Sequence, residues 1–267
     1  MKKFLFGVLL LFSTNLFSQA SADYFKQAGI KAYKKNDYLE AIDHFTVALT
    51  RNNKLTDAYI YRALAKDAID DFEGAIKDFN AANQIDTNDI FVYVERAKTY
   101  LNLKKFEEAE KDFLKVTQLN PNSKDAEEAW DNLAALKYQQ KNYRTAANYY
   151  TRLLKFRPDD TQVFSNRAAC KLMLEDYDGA AKDCEKAISS DKKNAKAYAL
   201  RAQVKLKKND KDGACQDLKK AKKEGYKPAT SIMQDVCKWR ESDHNLAQNN
   251  LTLNPNSNNV LALEIIS

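Results

Sequence analysis

A spacing of 34 residues runs through this chain and restricts its fold more than any other feature. Glu40-Ala41-Ile42 is followed by Gly74-Ala75-Ile76, Glu108-Ala109-Glu110, Thr145-Ala146-Ala147, Gly179-Ala180-Ala181 and Gly213-Ala214-Cys215. The central alanines lie 34, 34, 37, 34 and 34 residues apart. Such a unit has room for two helices and a turn, and one hairpin cannot bury its own apolar face. Stacked copies bury it for one another, so the period predicts a solenoid and not a molecule closed around a single centre. Six glycines and four prolines in 267 residues leave little chain for β-turns, and the expected class is all-α.

The units run 22–55, 56–89, 90–123, 127–160, 161–194 and 195–226, with Lys124-Asp125-Ala126 inserted before the fourth. Each opens with an aromatic: Phe25, Tyr59, Tyr93, Trp130, Phe164 and Tyr198. Four residues on stands Gly29, Ala63, Ala97, Ala134, Ala168 or Ala202, small enough for two helices to meet closely. The second-helix alanine is followed by Phe45, Phe79, Phe113, Tyr150, Cys184 or Leu218. Ala48, Ala82, Ala187 and Ala221 close four units, Val116 and Leu153 the other two. Pro121 and Pro158 precede the next unit in two places. Polar pairs and triplets such as Lys35-Asn36-Asp37, Asp70-Asp71 and Asn209-Asp210 mark a tight turn inside each unit.

In this pattern residues 22–226 resemble the tetratricopeptide repeat family. The resemblance implies a right-handed α-solenoid of six helix-turn-helix repeats; after it, Gly225 to end the last helix, Pro228 to open another and the apolar face of Ile232, Met233, Val236 and Trp239 predict a C-terminal capping helix over 228–240. The resemblance also implies that the first helices line a concave face where partners lie, and a role in binding proteins. On those helices a stripe of Tyr33, Leu101, Tyr138, Leu172 and Leu206, with Ile30, Ile60, Tyr61, Leu64, Val94 and Met173 beside it, is the expected partner groove. The same side chains would equally serve as packing between neighbouring units. Some relatives hold a C-terminal carboxylate with a Lys–Asn–Arg clamp. Here Ile30 and Tyr61 stand where asparagines are needed, and Asn166 and Lys196 match in isolation, so that clamp is absent.

Comparison among the copies exposes a second pattern. Arg62, Arg96, Arg167 and Arg201 occupy one place in the first helix, and Asp78, Asp112, Asp183 and Asp217 follow sixteen residues later. The two units without the arginine, with Ala28 and Leu133, also lack the aspartate and carry His44 and Tyr149. In an antiparallel hairpin these places face each other, which predicts four structural Arg–Asp pairs; charged groups aimed at a ligand are the competing reading.

Catalytic and cofactor signatures are missing. The two histidines, His44 and His244, have no Ser or Cys at a useful spacing, the glycines form no phosphate loop, and neither CxxC nor HExxH occurs. No enzyme, cofactor or metal is expected. A net charge of +6 arises from lysines and acids interspersed along the helices, which is not a nucleic-acid footprint.

Residues 1–20 read as a secretory signal peptide: Lys2 and Lys3, an apolar run from Phe4 to Phe12, and Ser18-Gln19-Ala20 before a cleavage after Ala20 or Ser18. That run is shorter than the ~20 residues a bilayer needs. The chain is therefore expected to be exported without spanning the membrane, to the periplasm or extracellular face of a Gram-negative bacterium. Export permits disulfides; Cys215 and Cys237 are the first candidates, to tie down the terminal helix, and Cys170 with Cys184 the second. Residues 241–267, with seven asparagines, read as an Asn-rich disordered tail. The leading functional expectation is an envelope scaffold that binds a protein or peptide partner. The alternative is a self-associating structural protein, a homodimer formed through the open end of the array.

Overall fold

The computed structural model describes residues 21–237, all of whose regular elements are helices. The signal-peptide reading of 1–20, residues 238–240 of the expected cap, and the 241–267 tail with His244 lie outside them. Helix α1 covers 21–34. It is followed by α2 (Tyr38–Arg51), α3 (Thr56–Asp67), α4 (Phe72–Ile85), α5 (Ile90–Asn102), α6 (Phe106–Leu119) and α7 (Lys124–Gln139). Then come α8 (Tyr143–Leu153), α9 (Thr161–Met173), α10 (Tyr177–Ser190), α11 (Ala195–Lys207), α12 (Lys211–Lys223) and α13 (Ala229–Cys237). Odd-numbered helices up to α11 are the first members of six hairpins, and each hairpin packs on the next.

The insertion before the fourth unit is absorbed as helix. Helix α7 has 16 residues where α5 has 13, and the Ser123 hydroxyl caps it by accepting from the Ala126 backbone N–H at 3.0 Å.

Every hairpin turns on one left-handed residue: Asn36, Asp70, Lys104, Lys141, Glu175 and Asn209, with φ between 56° and 66°. The next N–H donates back across the helix end, as from Asp71 to the Lys66 carbonyl and from Asp176 to the Lys171 carbonyl, both at 2.9 Å. The residue that closes the first helix can then cap the second. Asp71, Asp176 and Asp210 accept from the backbone N–H of Gly74, Gly179 and Gly213 at 2.9–3.0 Å. A Cβ on those glycines would lie 2.1–2.2 Å from the capping carboxylate, so glycine leaves the cap its place.

The six second-helix alanines are fully buried, and so are Phe45, Phe79, Phe113, Cys184 and Leu218. Each ring of the first three contributes roughly 2–3 kcal/mol by leaving water. In the first hairpin the Phe45 ring sits against Gly29, where a Cβ would meet it at 2.7 Å. Consecutive first helices touch (α3 with α5, α5 with α7, α9 with α11), while no two second helices approach as closely. The stack therefore bends with its first helices on the inside. At the far end α13 lays Ile232, Met233 and Val236 on the core around Tyr198, Leu218 and Ala221, and turns Thr230, Ser231, Gln234 and Asp235 to solvent. Gly225, with φ 96°, ends α12 ahead of it.

Candidate functional site: the inner wall and the ion pairs behind it

The arginines and aspartates sixteen residues apart meet as two-pronged pairs. The Nε and Nη2 of Arg62 donate to Asp78 at 2.8 and 2.6 Å, and those of Arg96 to Asp112 at 2.7 and 2.8 Å. Arg167 and Arg201 hold Asp183 and Asp217 in the same way, at 2.8 and 2.7 Å in each case. All four carboxylates are buried. Such forks combine charge with fixed direction, so each pair sets the angle between the two helices of its hairpin.

Three further contacts surround the fork. Each guanidinium lies over the ring three residues earlier, Tyr59, Tyr93, Phe164 or Tyr198, at 5.3–5.7 Å from the centroid. One turn later Lys66, Lys171 and Lys205 reach the same carboxylates at 2.8, 2.8 and 2.9 Å; in the third hairpin Tyr100 stands there. In Arg62, Arg96 and Arg167 the remaining Nη1 reaches back into the preceding hairpin, to Thr46, Asn80 and Thr151 at 3.0, 2.7 and 3.0 Å. No described helix precedes α1 to receive such a bond, and that hairpin carries Ala28. In the fourth hairpin Leu133 is fully buried with Tyr149 packed at the same core, an apolar replacement for the pair. Burial raises the Asp112 carboxyl above its ordinary value despite Arg96. Burial also works against the Arg96 charge, but Asp112 outweighs it and holds the guanidinium protonated. The side-chain partners of these groups lie inside the stack.

The residues expected along the inner wall separate by exposure. Ile60 and Val94 are core residues, 8% and 4% exposed, because their place on the helix faces the second helix of their own hairpin and the hairpin that follows, Ile60 in the cluster of Phe79 and Val92 and Val94 in that of Phe113 and Leu133. Ile30, Tyr33, Tyr61, Leu64, Leu101, Tyr138, Leu172 and Leu206 are half-buried at the margins of the core clusters. Met173 is 52% exposed. Tyr33 packs on Tyr38 and Tyr61 at 5.7 and 5.6 Å, and Tyr138 on Tyr143 at 5.3 Å. Burial pushes the Tyr138 phenol up to about 12.

Sequence reasoning passed over Phe91, which is 48% exposed at the start of α5. The signal was present: its column reads Asp23, Asp57, Phe91, Glu128, Gln162 and Lys196, apolar once only. It also passed over Lys98 and Thr99 on this wall. Lys98 bridges Glu95 and Glu128 at 3.0 and 2.8 Å, and the Thr99 hydroxyl donates to Asp67 at 2.7 Å. Lys196 donates to the Asn166 side-chain oxygen at 2.9 Å but meets no carboxylate among the described residues, and burial lowers its pKa.

Cys215 and Cys237 form a disulfide, Cα–Cα 5.5 Å, that fastens α13 to α12. Cys170 and Cys184 are not bridged; both are buried, which pushes their thiols up to about 12 and leaves them unreactive at neutral pH.

A tetratricopeptide repeat family model matches residues 90–123, and a second of the same description matches 132–195. Among solved structures, YrrB, described as a tetratricopeptide repeat protein with an unusual peptide-binding site, is 18% identical. The match covers 73% of this chain and 97% of that one, with a TM-score of 0.60. pilF of Pseudomonas aeruginosa is also 18% identical, over 82% and 97% of the two chains, with a TM-score of 0.55. MamA of Desulfovibrio magneticus RS-1 is 17% identical, over 64% and 96%, with a TM-score of 0.56. At such identities the likeness is one of fold.

Proposed function

Because the chain is a tetratricopeptide repeat protein, we propose that it is a non-enzymatic scaffold of the Gram-negative cell envelope that holds a segment of another protein against its inner wall. The observation that carries this reading is the exposure of Phe91 and Met173, 48% and 52%, beside the half-buried row of Leu64, Leu101, Tyr138 and Leu172. Apolar side chains left in water on the inside of a bend are suited to anchoring an extended strand or a helix with hydrophobic residues. Lys196, desolvated and without an acidic partner among the described residues, would take an acidic or carbonyl group from that segment. Residues 1–20 supply the motif for export, and the Cys215–Cys237 bridge suits an oxidising compartment. No described helix is long and apolar enough to cross a membrane.

One observation favours a second reading, self-association. Tyr24 is 70% exposed at a place filled in the other hairpins by Ala58, Val92, Ala129, Val163 and Ala197, none more than 3% exposed. Each of those is covered by a preceding hairpin; a second copy of the chain would cover Tyr24.

Crosslinked capture from native envelopes tests both readings. Phe91→Ser with Met173→Ser is expected to abolish capture of the partner while leaving the melting temperature in place. Capture that survives this change rejects the inner wall. A concentration-dependent dimer in light scattering, lost in Tyr24→Ser, assigns the open end to self-association.

A further inference from the structure

Charge is distributed unevenly along the stack. The second hairpin, 56–89, carries eight acidic residues and three basic ones, whereas 195–237 carries eleven basic and five acidic. Helices α10 and α12 are both second helices of stacked hairpins and end at the same edge, at Ser190 and Lys223. The last turn of α12 brings Lys222 and Lys223 to that edge, and the segments that follow the two helices bring Lys192, Lys193 and Lys227; all five are exposed and none is in an ion pair with a described residue. The corresponding segment of the second hairpin reads Asp86-Thr87-Asn88-Asp89. Cations in the last turn of α12 favour its dipole, which accounts for Lys222 and Lys223 but not for the loop lysines.

The edge offers five ammonium groups against two carboxylates, the exposed Asp191 and the half-buried Glu224. It contains no arginine to fork onto a fixed phosphate and none of the exposed large apolar side chains; its one aromatic, Tyr226, is half-buried and packed on the terminal core, a poor platform for stacking bases. Point charges on flexible stems at an outward edge suit a fluid layer of anionic headgroups, which rearranges to meet them. We propose that this lysine edge, spanning 192–227, docks the protein on a bilayer bearing anionic phospholipid. The acidic second hairpin is repelled from the same surface, so the stack stands on its C-terminal end with the wall of the first hairpins held away from the lipid. The docking is independent of what the inner wall binds.

Sedimentation of the full chain with vesicles of phosphatidylglycerol and phosphatidylcholine, against phosphatidylcholine alone, tests this. Binding is expected to the anionic vesicles only, and to weaken on the order of tenfold between roughly 0.05 and 0.3 M salt as the charges are screened. The neutral vesicles also control for the apolar run near the N-terminus. Replacing the five lysines with glutamine is expected to abolish sedimentation with an unchanged melting curve, and replacing them with arginine to preserve it. Equal binding to both vesicles, binding by the glutamine variant, or no binding to anionic vesicles at low salt overturns the proposal. Capture of an acidic protein or a nucleic acid without vesicle binding would transfer the edge to that partner and overturn it too.

Discussion

Arg62 reaches backward as well as forward: its Nη1 donates to the Thr46 hydroxyl, sixteen residues earlier in the preceding hairpin, at 3.0 Å. With Asp78 sixteen residues later, one guanidinium joins three helices, α2, α3 and α4. The same arrangement recurs at Arg96 and Arg167, through Asn80 and Thr151. These arginines fix the stacking between hairpins as well as the closure within them.

Removing one member of a buried pair strands the other. Asp112→Asn or Arg96→Met is expected to cost about 3–5 kcal/mol in denaturant unfolding. Arg96→Leu with Asp112→Tyr, copying the Leu133 and Tyr149 of the fourth hairpin, is expected to recover most of that loss. A double variant no better than the singles would refute this account.

Lys141 and Glu175 hold left-handed φ values of 58° and 61°, which side chains with a Cβ disfavour. Lys141→Gly and Glu175→Gly are each expected to raise stability by roughly 0.5–1 kcal/mol, and Glu175→Val to lower it. Thermal melts of the three variants give the sign directly.

The disulfide closes a loop with a sequence separation of 22. Reduction, or Cys215→Ala with Cys237→Ala, is expected to reduce the protection of α13 by about 3 kcal/mol in hydrogen exchange. Reductant should leave the double variant unchanged.

Alkali should unfold the stack. Burial raises the phenols of Tyr33, Tyr100, Tyr138, Tyr149, Tyr150 and Tyr226 above the ordinary value of 10.0, Tyr138 to about 12. A group whose pKa is higher folded than unfolded stabilises below the unfolded value and loses that stability as pH rises through the folded one. Stability is therefore expected to decline from pH 10 towards 12, and Tyr138→Phe to move the decline to higher pH. Fluorescence-monitored denaturation across that range measures it.

Lys196 has the opposite sign. Its pKa is lowered by burial, so the unfolded chain binds the proton more tightly and the charge costs stability at neutral pH. Lys196→Met is expected to stabilise at pH 7, with the advantage shrinking as pH approaches 10.5. An advantage that persists unchanged at high pH would show that lost charge is not its source.

The repeat was legible because each hairpin needs the same small and bulky residues at the same places to bury its neighbour: Ala63 and Phe79 in one unit predict Ala97 and Phe113 in the next. The Arg–Asp pattern was legible for the same reason, since six copies in one chain act as their own comparison. What a column of residues does not state is which neighbour a side chain meets. Ile60 and Leu64 lie one helical turn apart, yet Ile60 is core and Leu64 lies at its margin, because the stack covers one and not the other. The backward bond of Arg62, the exposure of Phe91 and Met173, and the gathering of lysines from the ends of two separate helices and the loops after them depend on how one hairpin is rotated on the next. Local periodicity determined the helices and their order, whereas packing between units, which sums contacts distant in sequence, decided which faces remain in water.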